Sequence, residues 1–275
     1  MQSFDRLLQD IYEKSLTEKR SWYSNVAAAY DRARPRYPNR LISRAVEAAQ
    51  LSPGANLLEI GCGPGIATLS FARLGFAMTC LEPSAAACEI ARDRTRDFPN
   101  VAIANSTFEE WEIVPEHFDA AIAATSWHWV SDPDKHHKIR TTLKPHGTLI
   151  LLWNTPPEPI AEIHAQLQDI YDRLAPELAN FAGLDRHASH IATFGTEVKA
   201  SGCFEAIASE EIAIPETIHG DRYLDLLSTL SPYIALDESV RTGLFGELSD
   251  RLTNRFQNAI ATERLSILQV FRKAG

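Results

Sequence analysis

The chain is poor in the features that would announce a function at once. Its 275 residues include 4 cysteines and 2 methionines. Cys62, Cys80, Cys88 and Cys203 form no C-x-x-C pair and have no histidine at zinc-ligand spacing, so neither a metal site nor a disulfide framework is expected of them. They read as small buried residues. Positive charge is also short: the formal net charge is −9, which disfavours a broad phosphate-binding surface and with it nucleic acid as a partner. No apolar run approaches the roughly 20 residues that a membrane span needs. Met1 to Arg20 mixes Asp, Glu, Lys and Arg where a signal peptide would carry an apolar core, so the expectation is a cytoplasmic protein with no membrane partner. No internal repeat or low-complexity tract is present. A hydrophobic content of 45% leaves ample material for a core.

The most informative stretch is Leu57-Leu58-Glu59-Ile60-Gly61-Cys62-Gly63-Pro64-Gly65. Asn56 to Ile60 has the length and apolar character of a buried parallel strand, and Ile66 to Leu74 resumes at helical spacing, so the glycines fall at a strand-to-helix turn. Glycine there permits positive φ and a close ligand approach, and the helix that follows offers unpaired N–H groups. A dinucleotide fingerprint would place a third glycine three positions after Gly63, where Ile66 stands, and no Gly-Lys-Ser/Thr closes a phosphate loop. Glu82 ends a second apolar run, Phe76 to Leu81, 21 residues after Gly61. An acid at that strand end can accept hydrogen bonds from both hydroxyls of a ribose.

Glu59-Ile60-Gly61-Cys62-Gly63-Pro64-Gly65 followed by Leu81-Glu82-Pro83-Ser84 resembles the class I S-adenosylmethionine-dependent methyltransferases, with their E-x-G-x-G-x-G turn and an acid ending strand two. Tyr30-Asp31-Arg32-Ala33-Arg34-Pro35-Arg36-Tyr37-Pro38 is similar to the entry segment of a subgroup that includes the trans-aconitate methyltransferases. There the tyrosine and arginine approach the methionine end of the cofactor. The resemblance implies S-adenosyl-L-methionine as cofactor, S-adenosyl-L-homocysteine as product, and cofactor contacts at Tyr30, Arg34, Glu59, Gly61, Cys62, Gly63, Gly65, Glu82, Pro83, Thr107, Phe108 and Thr125. Arg34 would suit the carboxylate, since a guanidinium grips one bidentately. Thr107 stands where these families carry an acid near the adenine, and Phe108 follows it, so a backbone amide and apolar contact replace the side-chain acceptor in this expectation.

The implied fold is α/β: a Rossmann-like, seven-stranded, mostly parallel sheet whose last strand is antiparallel, with helices on both faces. Expected strands are Asn56 to Ile60, Phe76 to Leu81, Val101 to Ala104, Phe118 to Ala124, Thr148 to Trp153, Phe204 to Pro215 and Glu263 to Phe271. Residues 3 to 16 space Phe4, Leu7, Leu8, Ile11 and Tyr12 as an amphipathic helix. Residues 1–38 are expected to form a helical lid, 39–154 the cofactor-binding core, 155–194 a second lid insertion, and 195–275 the rest of the core with one or two helices between its last strands.

Methyl transfer from a sulfonium is an in-line displacement in which positioning does most of the work. A carboxylate acceptor would need no base, whereas a hydroxyl or amine would make His128 the candidate base. Trp127, His128 and Trp153, at the carboxyl ends of strands four and five, are the expected substrate contacts for a small-molecule acceptor. His136 and His137 read as a solvated helix face. The competing readings are a protein that binds the cofactor without catalysis and an NAD-dependent oxidoreductase, the latter opposed by the glycine spacing. The chain is expected to act as a monomer or homodimer.

Overall fold

The computed structural model describes residues 27–179 and 183–275. The expected helix at residues 3 to 16 lies outside them.

Five strands, with helices between all but the third and fourth, occupy the first half of the chain. They are β1 (Asn56–Ile60), β2 (Ala77–Leu81), β3 (Val101–Ala104), β4 (Phe118–Ala124) and β5 (Leu143–Asn154). Three helices link the first three strands to what precedes them: α2 (Asn39–Ala48), α3 (Ile66–Ala72) and α4 (Ala85–Thr95). Before them lies α1 (Ala27–Ala33), and α5 (Lys135–Thr142) leads into β5. β1 pairs in parallel with β2 on one side and β4 on the other, and β2 with β3 and β4 with β5 are likewise parallel. Such a sheet must be covered on both faces, and its central strands are accordingly apolar except for Asn56 and Glu59 on β1 and Asp119 on β4. Leu57, Ala120, Ile122, Ile150 and Leu152 join one buried cluster. Leu58, Ala121, Ala123, Leu149 and Leu151 join the cluster on the opposite face.

The second half closes the sheet. The long strand β8 (Ala259–Lys273) runs antiparallel to β5, and β7 (Phe204–His219) pairs antiparallel with β8 along its whole length, giving the order β3-β2-β1-β4-β5-β8-β7. A two-residue strand, β6 (Glu158–Pro159), extends the β5 edge against β8. The expected seven-stranded sheet with an antiparallel last strand is therefore present. β7 and β8 extend beyond the expected Phe204 to Pro215 and Glu263 to Phe271. Their ends alternate with polar residues because β7 is solvated on one side, so the apolar pattern fades before the pairing does.

Between β5 and β7 lie α6 (Ala161–Ala165), α7 (Gln168–Leu174) and α8 (Leu184–Ala200); between β7 and β8 lie α9 (Gly220–Ser228), α10 (Ser231–Ile234) and α11 (Glu238–Phe256). Three helices replace the expected one or two because Pro232, at the start of α10, lacks the N–H that an uninterrupted helix would need. These helices carry a separate core in which Leu167, Ile170 and Tyr171 meet Leu226, Leu227, Leu244 and Leu248, and Ala33 of α1 packs into it. The helical layer thus stands over the carboxyl ends of β1, β2, β4 and β5. Among the described residues no helix is long and apolar enough to cross a membrane.

Candidate functional site

Strand order reverses at β1, whose neighbours are β2 and β4, and in an open α/β sheet that is where the crevice forms. A cavity of about 440 Å³ lies there, between the strand ends and the helical layer. The bend after Ile60 forms its floor. Gly61 has φ +66, and a Cβ on it would stand 2.7 Å from Cβ of Ser126, so this position admits no side chain. Gly63 has φ +55, but a Cβ there would meet nothing within 4 Å, because it would project into open space. One glycine is demanded by the protein's own packing and the other leaves room for something else.

Glu82 braces the bend. Its Oε2 accepts a hydrogen bond from Gly63 N at 2.9 Å and its Oε1 one from Ser84 N at 2.8 Å. Burial pushes its carboxyl up to about 7, against the two amide bonds that favour the charged form. Glu59 is fully buried beneath the same bend: Thr68 Oγ1 donates to its Oε2 at 2.6 Å, while its Oε1 has no partner among the described residues. Burial pushes Glu59 to about 7 as well. An orphaned carboxylate oxygen lining a cavity suits a ligand that brings a cation or a donor.

Of the expected cofactor contacts, Tyr30, Arg34, Glu59, Gly61, Cys62, Gly63, Glu82, Pro83, Thr107, Phe108 and Thr125 all line this cavity. Gly65 does not. It caps α3 at φ +80, where a Cβ would rest 3.4 Å from Ala91 of α4, so its service is to helix packing. Thr107 is turned to its own backbone: Glu110 N donates to Thr107 Oγ1 at 3.2 Å, closing a local turn. Arg34 lies 4.6 Å over the ring of Tyr30 and donates from Nε and Nη2 to Thr229 at 2.9 and 2.7 Å, which leaves Nη1 toward other partners.

Of the expected substrate contacts, His128 and Trp153 line the cavity and Trp127 does not. The short 3-10 turn at Trp127–Trp129 sends Trp127 the other way, fully buried against the His136 ring at 5.6 Å. His136 is accordingly not the solvated residue expected on α5. It is buried, with burial lowering its pKa, and only its neighbour His137 stays outside. Adjacent positions of one 3-10 turn hold a core tryptophan and a cavity histidine, and periodicity cannot resolve that.

Long-range hydrogen bonds bring in two residues that the sequence did not assign to the site, Tyr37 and Asn154, by tying them to the expected contact Thr125. Thr125 has φ +56, a costly conformation for a β-branched residue. Three bonds hold it: its N donates to Leu152 O at 2.7 Å, Asn154 N donates to its Oγ1 at 3.1 Å, and Tyr37 Oη shares a 2.7 Å bond with that hydroxyl. Asn154 Nδ2 also donates to Pro35 O at 3.0 Å, so the entry segment is pinned to the ends of β4 and β5. Arg94 of α4 pins it from the other side through Asp31 and donates to Pro64 O at 2.7 Å. Removing the phenol by Tyr37→Phe is expected to cost about 1 kcal/mol in a denaturant melt. An unchanged midpoint would show that the strained Thr125 is held by its backbone bonds alone.

Residues 57–147 match the family model described as a methyltransferase domain. An uncharacterized methyltransferase of Mycobacterium tuberculosis is 28% identical over 133 residues, 48% of this chain and 52% of that protein. The chain thus spans about half the length of its mycobacterial relatives. A protein of Anaeromyxobacter dehalogenans assigned as a type II methyltransferase superimposes with a TM-score of 0.60 at 21% identity, over 87% of this chain and 97% of that one. Phosphoethanolamine N-methyltransferase 2 of Haemonchus contortus, solved with phosphomonomethylethanolamine and S-adenosylhomocysteine, gives 0.52 at 15% identity, over 94% of this chain and 59% of that one. The segment from β1 to the start of β5 is thus what matches a methyltransferase domain, and the fold it sits in is one shared with methyltransferase structures over 87% of the chain.

Proposed function

We propose that this chain is an S-adenosylmethionine-dependent methyltransferase acting on a small molecule. The observation that carries the reading is the bend itself: open space over Gly63 lies beside the Glu82 carboxylate and above the unpartnered Glu59 Oε1, within a domain matched to methyltransferases. When bound, the cofactor supplies an electrophilic methyl on a sulfonium. Glu82 would take the ribose hydroxyls, Glu59 would offer its free oxygen to the amino acid end, and Arg34 Nη1 would face that end's carboxylate. Pro83, Thr107 and Phe108 would bound the adenine. The chain contributes positioning: it holds an acceptor in line with the scissile bond and keeps water out, an effect worth several kcal/mol of barrier.

In this proposal the entry segment up to residue 38 and the helices within 155–194 act as covers over the core of 39–154, since both border the cavity. A cavity of about 440 Å³ enclosed in this way suits a small acceptor rather than a polymer. The likeness of the entry segment to the trans-aconitate subgroup would by itself suggest a carboxylate acceptor, a substrate class that the far half of the cavity does not favour. Calorimetry with S-adenosylhomocysteine tests the cofactor assignment: Glu82→Ala is expected to weaken binding at least about tenfold through loss of charge-assisted hydrogen bonds. Wild-type protein that takes up no S-adenosylhomocysteine would end it. A protein that binds the cofactor without catalysis would pass this test and show no release of S-adenosylhomocysteine with any acceptor.

A further inference from the structure

Beyond the cofactor bend, the cavity runs between α8 and the ends of β5 and β6, and this half has its own chemistry. Trp153 and Phe194 are stacked at 4.8 Å with planes 17° apart, and His128 closes a three-ring cluster, 5.7 Å and 28° from Trp153 and 6.0 Å and 41° from Phe194. All three border the cavity. Trp153 is fixed from behind, its Nε1 donating to Gln269 Oε1 at 3.2 Å. Facing ring planes attract a further planar ring, since offset stacking adds to the area buried.

Glu158 and His187 stand in the same half. Glu158 belongs to β6, whose pairing with Glu263 fixes its backbone. Its Oε2 accepts from Gly183 N at 3.2 Å, which caps the start of α8, and its Oε1 meets His187 Nε2 at 2.7 Å. Capping needs one of these oxygens; the other holds an imidazole that borders the cavity. With Nε2–H donated to the carboxylate, Nδ1 is left as the proton acceptor, and it has no hydrogen-bond partner among the described residues. An imidazole oriented by a carboxylate is the arrangement of a general base.

Resting on the methyltransferase reading, we propose that the acceptor is a hydroxylated aromatic molecule and that His187, oriented by Glu158, takes its hydroxyl proton. The acceptor ring would continue the Trp153–Phe194 stack. The oxygen forms a bond to the methyl carbon as the carbon–sulfur bond breaks and its electron pair stays on sulfur. The hydroxyl proton passes to His187 Nδ1, so charge and atoms balance without another reactant. A carboxylate acceptor would need no base and would meet the Glu158 charge. The other titratable groups bordering this half are His164 on α6, Tyr171 on α7, Arg186 and His190 on α8, Tyr223 on α9 and Tyr233 on α10.

The probes are 2-naphthol, its carboxylate counterpart 2-naphthoate, and 4-nitrophenol, which is ionised far more readily than naphthol. Calorimetry on the protein alone should show 2-naphthol binding in preference to 2-naphthoate, and Phe194→Ala should weaken it on the order of tenfold. With cofactor, His187→Ala should lower turnover of 2-naphthol at neutral pH by about 10²- to 10⁴-fold. The deficit should shrink as the pH rises toward naphthol's own ionisation, and should be small for 4-nitrophenol, while S-adenosylhomocysteine binds as in the wild type. Preference for 2-naphthoate, no binding of 2-naphthol, an unchanged rate in His187→Ala, or an equal loss on both phenols at every pH would each overturn the proposal. Failure of the wild type to bind S-adenosylhomocysteine would instead overturn the reading beneath it.

Discussion

Gly61→Val should abolish binding of S-adenosylhomocysteine, with an affinity loss of at least about 100-fold, or about 2.7 kcal/mol. Two costs fall on one position. A β-branched residue at φ +66 is strained by roughly 1–3 kcal/mol, and its Cβ would lie 2.7 Å from Cβ of Ser126, which must move or push the bend outward. Ser126 cannot yield freely, because its hydroxyl donates to Ile60 O at the end of β1. The bend would therefore open and carry the Gly63 amide away from Glu82. Gly63→Ala separates ligand space from protein packing. Its Cβ meets no protein atom within 4 Å, so only the left-handed backbone, about 1–2 kcal/mol, burdens the fold. Its methyl would nevertheless stand where the ligand approaches. The expectation is a folded Gly63→Ala protein with weakened binding and a Gly61→Val protein with a lower melting temperature as well. Calorimetry showing wild-type affinity in the folded fraction of both variants would take the bend out of the site.

How much of this was legible in the chain follows from where the physics is local. β1 and β4 end where hydrophobic runs do, because a strand buried on both faces has no polar side to blur its limits. The pairing of the glycine turn with Glu82 was readable too, since consecutive parallel strands place their carboxyl ends side by side and Glu82 accepts from Gly63 N as a result. What could not be read is what arrives from far along the chain. Asn154 holds Pro35 119 positions away, Arg34 reaches Thr229 195 positions away, and Glu158 meets His187 29 positions away, across α6 and α7. The entry motif marks Arg34 for a ligand, but its bond to Thr229, like the other two pairings, exists only once the helical layer folds over the sheet. Trp127 shows the converse: an aromatic at the correct edge, turned into the core by three residues of 3-10 helix. Only the charge and shape of the partner could have flagged such residues, and those are properties of the folded molecule.

The same buried acids predict how the ligand-free protein responds to pH. Glu59 and Glu82 both rise from 4.5 to about 7, with burial as the first cause in each. Between those values the folded protein holds protons that the unfolded chain has released, so stability is greatest below about pH 4.5 as far as these groups go and falls as pH rises toward 7. Each group contributes on the order of 3 kcal/mol to that fall. Above 7 the loss is complete and the dependence flattens. A ligand that donates hydrogen bonds to Glu82 and a positive charge to Glu59 favours their ionised forms, so it must release protons on binding and bind more tightly as pH rises through 7. The stabilisation given by S-adenosylhomocysteine, read as the rise in melting temperature, should therefore be larger at pH about 8 than at about 5.5, the window set by these two shifts. Glu59→Gln and Glu82→Gln remove the titrating proton while keeping the shape. Each should flatten the ligand-free profile by its own share, and together they should remove most of the slope. A wild-type melting temperature that climbs from pH 5.5 to 8 without ligand would mean that the acids are ionised in the resting protein.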